Sequence, residues 1–161
     1  EQIRAIALNP REGQSTPLTE ALLMYAARQE HLENVIRPAL AAGKWVICDR
    51  FVDASYAYQG GGRGLGFARI QQLEAWSLGE FKPDLTLLLD MSAEEGISRT
   101  KKRGKADRFE IEEMTFYQKI RTAYLRRAKQ HPERIFVIDA SPKVAQVEAS
   151  IVAILQQRFA R

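Results

Sequence analysis

Residues 46–66 read VICDRFVDASYAYQGGGRGLG and carry much of the chemistry that this chain can offer. Asp49 and Arg50 close an apolar run. A guanidinium grips a phosphate through two parallel hydrogen bonds, and a carboxylate beside it can orient an attacking oxygen or hold a metal-bound water. The same pair also reads as a local surface ion pair of small consequence. Ser55, Tyr58 and Gln59 follow, with a hydroxyl, a phenol and an amide. The glycines at 60–62, 64 and 66 let a backbone approach a ligand closely. No Gly-Lys-Ser/Thr follows them, so they do not form a Walker-type phosphate loop. A flexible surface turn explains them as well.

Two further stretches are chemically loaded. In YAARQEH, Arg28 lies four residues after Met24, so the two share a helix face. An arginine preceded by two alanines on so apolar a helix points to a cleft, with a solvated arginine as the alternative. SRTKKRGKADR (98–108) holds Arg99, Lys101, Lys102, Arg103, Lys105 and Arg108 around a glycine. That density suits a flap closing over polyphosphate. It also suits a solvated basic face or a nucleic-acid patch, although no aromatic residues alternate with the cations as a single-strand platform requires.

The elements that must position these residues follow from periodicity. Residues 1–8 resemble the tail of a helix, and NPREGQSTP is loop by composition. Thr16 caps the next helix, with Pro17 at its first position. Leu18, Leu22, Leu23, Ala26, Ala27, Val35, Ile36 and Leu40 recur at helical spacing, Pro38 predicts a kink and Gly43 a stop. WVICD (45–49), KPDLTLLLD (82–90) and RIFVIDA (134–140) read as buried strands. Helices are expected at 67–80, on a face of Ile70, Leu73 and Trp76, and from the Ser92–Glu95 capping box to Gly104. Two more run over roughly 110–131, with Met114, Tyr117, Ile120, Tyr124 and Ala128 on one side, and from Ser141 onward, with Val144, Val147, Ile151 and Leu155. Apolar strands alternating with helices predict an α/β fold, a parallel sheet covered by helices on both faces in three layers. Ligands bind such sheets at the carboxyl ends of the strands. Asp90 and Asp139 end strands too, but turn and cap preferences explain them.

Composition narrows the classes. At 161 residues, with 45% hydrophobic and 27% charged, the chain reads as one globular domain. Its net charge of +4 fits an anionic partner without choosing between nucleotide, nucleic acid and membrane surface. The single cysteine, Cys48, excludes an internal disulfide and a Cys-rich zinc site, and predicts a reducing, cytoplasmic setting. His31 and His131 lack metal-ligand spacing, and no apolar run is long enough to span a membrane.

Taken in order, LLMYAARQEH, DRFVDASYAYQGGGRGL, KPDLTLLLD and RGKADRFE make essentially the whole chain resemble the bacterial thymidylate kinases, nucleoside-monophosphate kinases of the P-loop class. The resemblance implies a P-loop nucleotide-kinase fold that transfers the γ-phosphate of ATP to dTMP, giving dTDP for dTTP synthesis, with Mg²⁺. It implies a cytoplasmic homodimer with no specific nucleic-acid or membrane partner. It also implies roles. Arg50 would grip the dTMP phosphate. Asp49 would organise the acceptor phosphate and, through water, the metal. Arg28 would contact the thymine edge, and Ser55 and Gln59 the hydrogen-bonding atoms of the base. Tyr58 would pack under the deoxyribose, where a ribose 2′-hydroxyl would crowd. Met24 stands where relatives often carry a stacking Phe, and a thioether can also cover a base face. A lid at about 98–109 would bring Arg103, Arg108 and then Arg99 to the ATP phosphates, to neutralise charge on the transferred group. The family's opening strand, Gly-Lys-Ser/Thr loop, helix and second strand have no counterpart in residues 1–161. The expectation is a single nucleotide-kinase domain whose full protein carries that N-terminal β-loop-α-β segment as well. Another deoxynucleotide or deoxynucleoside kinase of the same fold, a non-catalytic nucleotide-binding relative and a basic nucleic-acid-binding domain are the rival readings.

Overall fold

The computed structural model describes residues 15–101 and 114–159, together with residues 3 and 6. Helix α1 (Pro17–His31) starts as its sequence predicts: the Thr16 hydroxyl accepts the Thr19 amide at 3.2 Å, and Pro17 occupies the first turn, where no amide is needed. At Leu32–Ile36 the helix widens into a π turn, with the Arg37 amide donating to the Leu32 carbonyl, and continues as α2 (Arg37–Ala41). A proline in regular α-helix crowds the carbonyl four residues back; the wider turn just ahead of Pro38 accommodates it where a kink is expected. Gly43, at φ 70°, then ends the helix, its amide donating to the Leu40 carbonyl and that of Lys44 to the Ala39 carbonyl.

The segment around the glycines departs from expectation. It is helical: one α turn, α3 (Val52–Ser55), runs into a π-helical stretch over Tyr56–Gly62. Next come α4 (Phe67–Leu78), β1 (Thr86–Asp90), α5 (Ala93–Lys101), α6 (Met114–Gln130), β2 (Ile135–Asp139) and α7 (Val144–Phe159). The π stretch lies directly on α6. A Cβ on Gly61 would sit 2.6 Å from the Ala123 Cβ, and one on Gly62 2.6 Å from the Phe116 ring. These two glycines are therefore a helix-packing device and not a surface turn.

β1 and β2 pair in parallel, in register from Thr86 opposite Ile135 to Asp90 opposite Asp139. The expected third strand is not formed. Residues 44–48 belong to no helix or strand, and Trp45 and Ile47 are 75% and 98% exposed, while Val46 alone reaches the core. A continuous apolar run signals burial on both faces, but a strand also needs a hydrogen-bonding neighbour, and the only ladder among the described residues joins β1 to β2. The described sheet thus has two strands. Trp76 is a second correction, at 85% exposure. Buried Ile70 and Leu78 and half-buried Leu73 define the inner face of α4, and six residues beyond Ile70 points away from it. In α1 and α2 the apolar residues divide between two faces. Ala21 and Tyr25, continued by Leu32 and Ile36, are buried, whereas Leu18, Leu22, Val35 and Leu40 are exposed.

One polar cluster joins these pieces. The buried Asp53 carboxylate on α3 accepts from Arg127 Nε of α6 at 3.1 Å and from Arg134 Nη1 and Nη2, just ahead of β2, at 2.7 and 2.9 Å. Arg134 also donates to the hydroxyl of Thr86, the first residue of β1. Arg127 donates in turn to His131 Nε2 at 2.7 Å, which requires that nitrogen to be unprotonated. Burial acts to raise the Asp53 pKa, but the hydrogen bonds and charges of Arg134 and Arg127 outweigh it and hold the carboxyl below its ordinary value.

Two outcomes follow. Gly61→Ala should cost about 1–3 kcal/mol of unfolding free energy through overpacking, and Ala123→Gly, which removes the opposing methyl, should show a favourable coupling with it in a double-mutant cycle read by urea titration. A carboxyl with a depressed native pKa contributes fully above its unfolded value and loses that contribution as pH falls through the native one. The stability gap between wild type and Asp53→Asn should therefore be widest above pH 3.8 and close below it.

Candidate active site

Arg50 enters the site in an unusual backbone conformation. Its φ of 65° is the single positive value among the described residues other than glycine, and a left-handed non-glycine residue costs roughly 1–2 kcal/mol. Strain of this kind concentrates where geometry serves a ligand. The Arg50 guanidinium lies 5.2 Å from the centre of the Tyr58 ring, a cation–π approach. Asp49, beside it, is exposed.

Arg28 reaches the same segment from α1. Its Nη2 donates to the Phe51 carbonyl at 3.3 Å and to the buried Ser55 hydroxyl at 3.0 Å. The guanidinium is also covered by the Tyr25 and Phe51 rings, at 4.8 and 5.5 Å. Burial lowers its pKa, an effect offset in part by Tyr25 and Cys48, although an arginine stays charged. The other terminal nitrogen, Nη1, is buried with no hydrogen-bond partner among the described residues. Leaving such a donor unsatisfied costs about 1–3 kcal/mol, so this nitrogen is poised for an acceptor supplied by a ligand.

Tyr58 is half-buried against Phe116 and Tyr124, whose rings meet it edge-on at 6.2 and 6.4 Å. Met24 packs on the same apolar cluster of Ala57, Phe116, Ile120 and Ala123. Arg28, Ser55, Tyr58, Arg50 and Met24 are thus gathered around α3 and the π stretch that follows it.

Gln59 is placed differently. It is buried, and its amide nitrogen donates to Glu20 at 2.8 Å, while Arg63 Nε reaches the other oxygen of Glu20 at 3.2 Å. That nitrogen is committed to the fold. Arg99 Nη1 donates to the Ala140 carbonyl at 3.0 Å, and its Nη2 donates to Glu95 at 2.7 Å and the Ser141 carbonyl at 3.3 Å, which ties it to the end of β2. Arg103 and Arg108 lie outside the described residues. Asp139 makes the expected turn, accepting the Ser141 amide at 2.9 Å, whereas Asp90 holds Arg121 through a bidentate pair at 2.7 and 2.9 Å.

Asp53, Arg127, Arg134, Glu20 and Arg63 escaped the sequence reading, because no pattern within a few residues marks a charged side chain for a buried partner. Tyr124 was placed on the inner face of its helix but given no part in the site. Burial and the neighbouring Tyr58 push its phenol well above its ordinary pKa, and the charges of Arg50, Asp53 and Asp49 all act on it. Among the described residues no cluster of three His, Cys, Asp or Glu side chains could hold a metal, and no helix is long and apolar enough to cross a membrane.

Known proteins resemble this chain over nearly its whole length. The family model described as thymidylate kinase matches residues 1–151. The chain is 52% identical over 155 residues to a thymidylate kinase of Pseudomonas fluorescens (strain SBW25), covering 96% of this chain and 74% of the relative. It is 54% identical over 151 residues to one of Nitrosospira multiformis, covering 94% and 73%. It is 50% identical over 156 residues to one of Ruthia magnifica, covering 97% and 76%.

Glycine adopts the Arg50 conformation without strain and alanine does not. Arg50→Gly should accordingly be more stable than Arg50→Ala by about 1 kcal/mol in denaturant titrations. Glu20→Gln, isosteric but uncharged, removes the buried charge that Arg63 Nε meets at 3.2 Å and should lower the unfolding free energy by about 3 kcal/mol.

Proposed function

The chain belongs to the thymidylate kinase family, and from that premise we propose how its residues divide the work. It is an ATP:dTMP phosphotransferase of the P-loop α/β class, with dTMP and ATP as its substrates. In the reading proposed here the described residues form the acceptor side. Arg50 holds the dTMP phosphate bidentately, and Asp49 orients the acceptor oxygen. That oxygen attacks the γ-phosphorus of ATP. The bond from the γ-phosphorus to the bridging oxygen breaks, and ADP leaves with the electron pair. Arg28 Nη1 donates to a carbonyl on the thymine edge, and Ser55, fixed by Nη2 of the same arginine, lines that edge. Tyr58 underlies the sugar and Met24 covers the base face. Gln59 contributes through the part of its amide that Glu20 does not engage.

Charge on the transferred group falls to the lid, about 98–109, with Arg103 and Arg108 ahead of Arg99, whose guanidinium is engaged by Ala140, Ser141 and Glu95. Mg²⁺ fits a single carboxylate such as Asp49 acting through water, because this ion keeps several waters and takes its remaining ligands from substrate phosphates. Bound there, it would neutralise phosphate charge. The proposed sheet is the three-layer one of the class, with β1 and β2 as two of its strands. The exposed Leu18, Leu22, Val35, Leu40 and Trp76 on α1, α2 and α4 support a homodimer, and the single cysteine supports a cytoplasmic setting.

The unpartnered Arg28 Nη1 beside Ser55 carries the base-reading part of this proposal. At matched saturating concentrations dTMP should raise the melting temperature by several degrees, and more than dCMP or AMP does. Arg28→Met should abolish the difference between dTMP and dCMP. Equal protection of the wild type by all three nucleotides would overturn the base assignment.

A further inference from the structure

The Asp53 carboxylate is engaged by Arg127 and Arg134, yet it stands two residues before Ser55 on the one-turn helix α3 and three after Arg50. This helix has little of its own to hold it. It is four residues long, and no side chain caps its N-terminus at Phe51. The residue before the cap, Arg50, sits in a strained conformation that persists only if its surroundings enforce it. What holds the turn in place is the Asp53 carboxylate, fixed on both oxygens by arginines from two other elements. Arg127 is further sandwiched, its guanidinium carbon 3.9 Å from the centre of the Tyr56 ring at the start of the π stretch. Planar guanidinium forks fix direction as well as distance, so this arrangement sets the rotation of α3 about its axis. That rotation decides where Ser55 meets Arg28 and how Arg50 projects over Tyr58.

We propose that Asp53 is a positioning residue for the acceptor nucleotide: through Arg127 and Arg134 it orients α3 so that Ser55 and Arg50 are presented together. The proposal rests on the acceptor-site reading above. A displacement of a binding group by a fraction of an ångström weakens binding before it abolishes chemistry. The effect should therefore appear chiefly in KM for dTMP.

The test is steady-state kinetics of Asp53→Asn, which keeps the shape and removes the charge. Ile138→Ala, which truncates a buried side chain in β2 and whose loss in melting temperature is measured alongside, serves as the stability control. The expected result is a KM for dTMP raised about tenfold, with KM for ATP and kcat each within about threefold of wild type. Ile138→Ala should leave both KM values unchanged. If Asp53→Asn proves insoluble, Arg127→Lys keeps the positive charge but loses the fork, and a smaller rise confined to KM for dTMP is expected. An unchanged KM for dTMP in the soluble variant, or a rise of equal size for both substrates, overturns the proposal. If Arg28→Met also leaves KM for dTMP unchanged, the acceptor-site reading falls and this proposal with it.

Discussion

The described structure turns on the buried carboxylate of Asp53. Three parts of the chain that are remote in sequence meet at its two oxygens: α3, the last turn of α6, and the segment entering β2. Thr86 brings the start of β1 to the same point through Arg134. Burying a carboxylate and two guanidinium groups is costly, and such a cluster is weak evidence of net stability compared with apolar packing. What it offers is direction. Apolar side chains tolerate small rotations of one helix over another, whereas forked hydrogen bonds to two fixed oxygens do not. This buried polar cluster lies beside the turn that bears Ser55 and follows Arg50.

Around that point the packing is set by the absence of side chains. Gly61 and Gly62 bring the π stretch against Ala123, Phe116 and Ile120 of α6, closer than any residue with a Cβ could come. The π geometry, with its i→i+5 bonding, fits more residues into a turn and so rotates consecutive residues through a smaller angle than an α-helix would. Tyr56 and Gln59 are then buried and Tyr58 half-buried, against different neighbours. These glycines are not a surface turn; they let the π stretch dock on α6.

Much of this was legible in the residues. Thr16 and Pro17 started the first helix, Gly43 ended it, and Ser92 capped α5, because capping is chemistry local to a few residues. β1, β2, α6 and α7 appeared within a few residues of their expected bounds, because their periodicity is local too. The grouping of Arg28, Ser55, Tyr58 and Arg50 was legible only through the resemblance of an ordered set of motifs. Residues 45–49 were misread for a physical reason: the apolar run is a property of the segment, but strand formation is a property of the segment and a neighbour. Trp76 was misread because one large apolar residue outweighed the angle at which it stands.

The sequence by itself determined most of the alternation of elements, the helix ends, the family and the polar side chains available around α3. These depend on contacts within a few residues, or on an order of motifs that needs no coordinates. Only the tertiary structure decided that Arg28 keeps one nitrogen unspent, that Gln59 is held by Glu20, that Arg99 is engaged at the end of β2, and that Asp53 joins α3 to α6 and the sheet. Each of those outcomes depends on which distant donor meets which acceptor once water is excluded, and no local pattern along the chain records that choice.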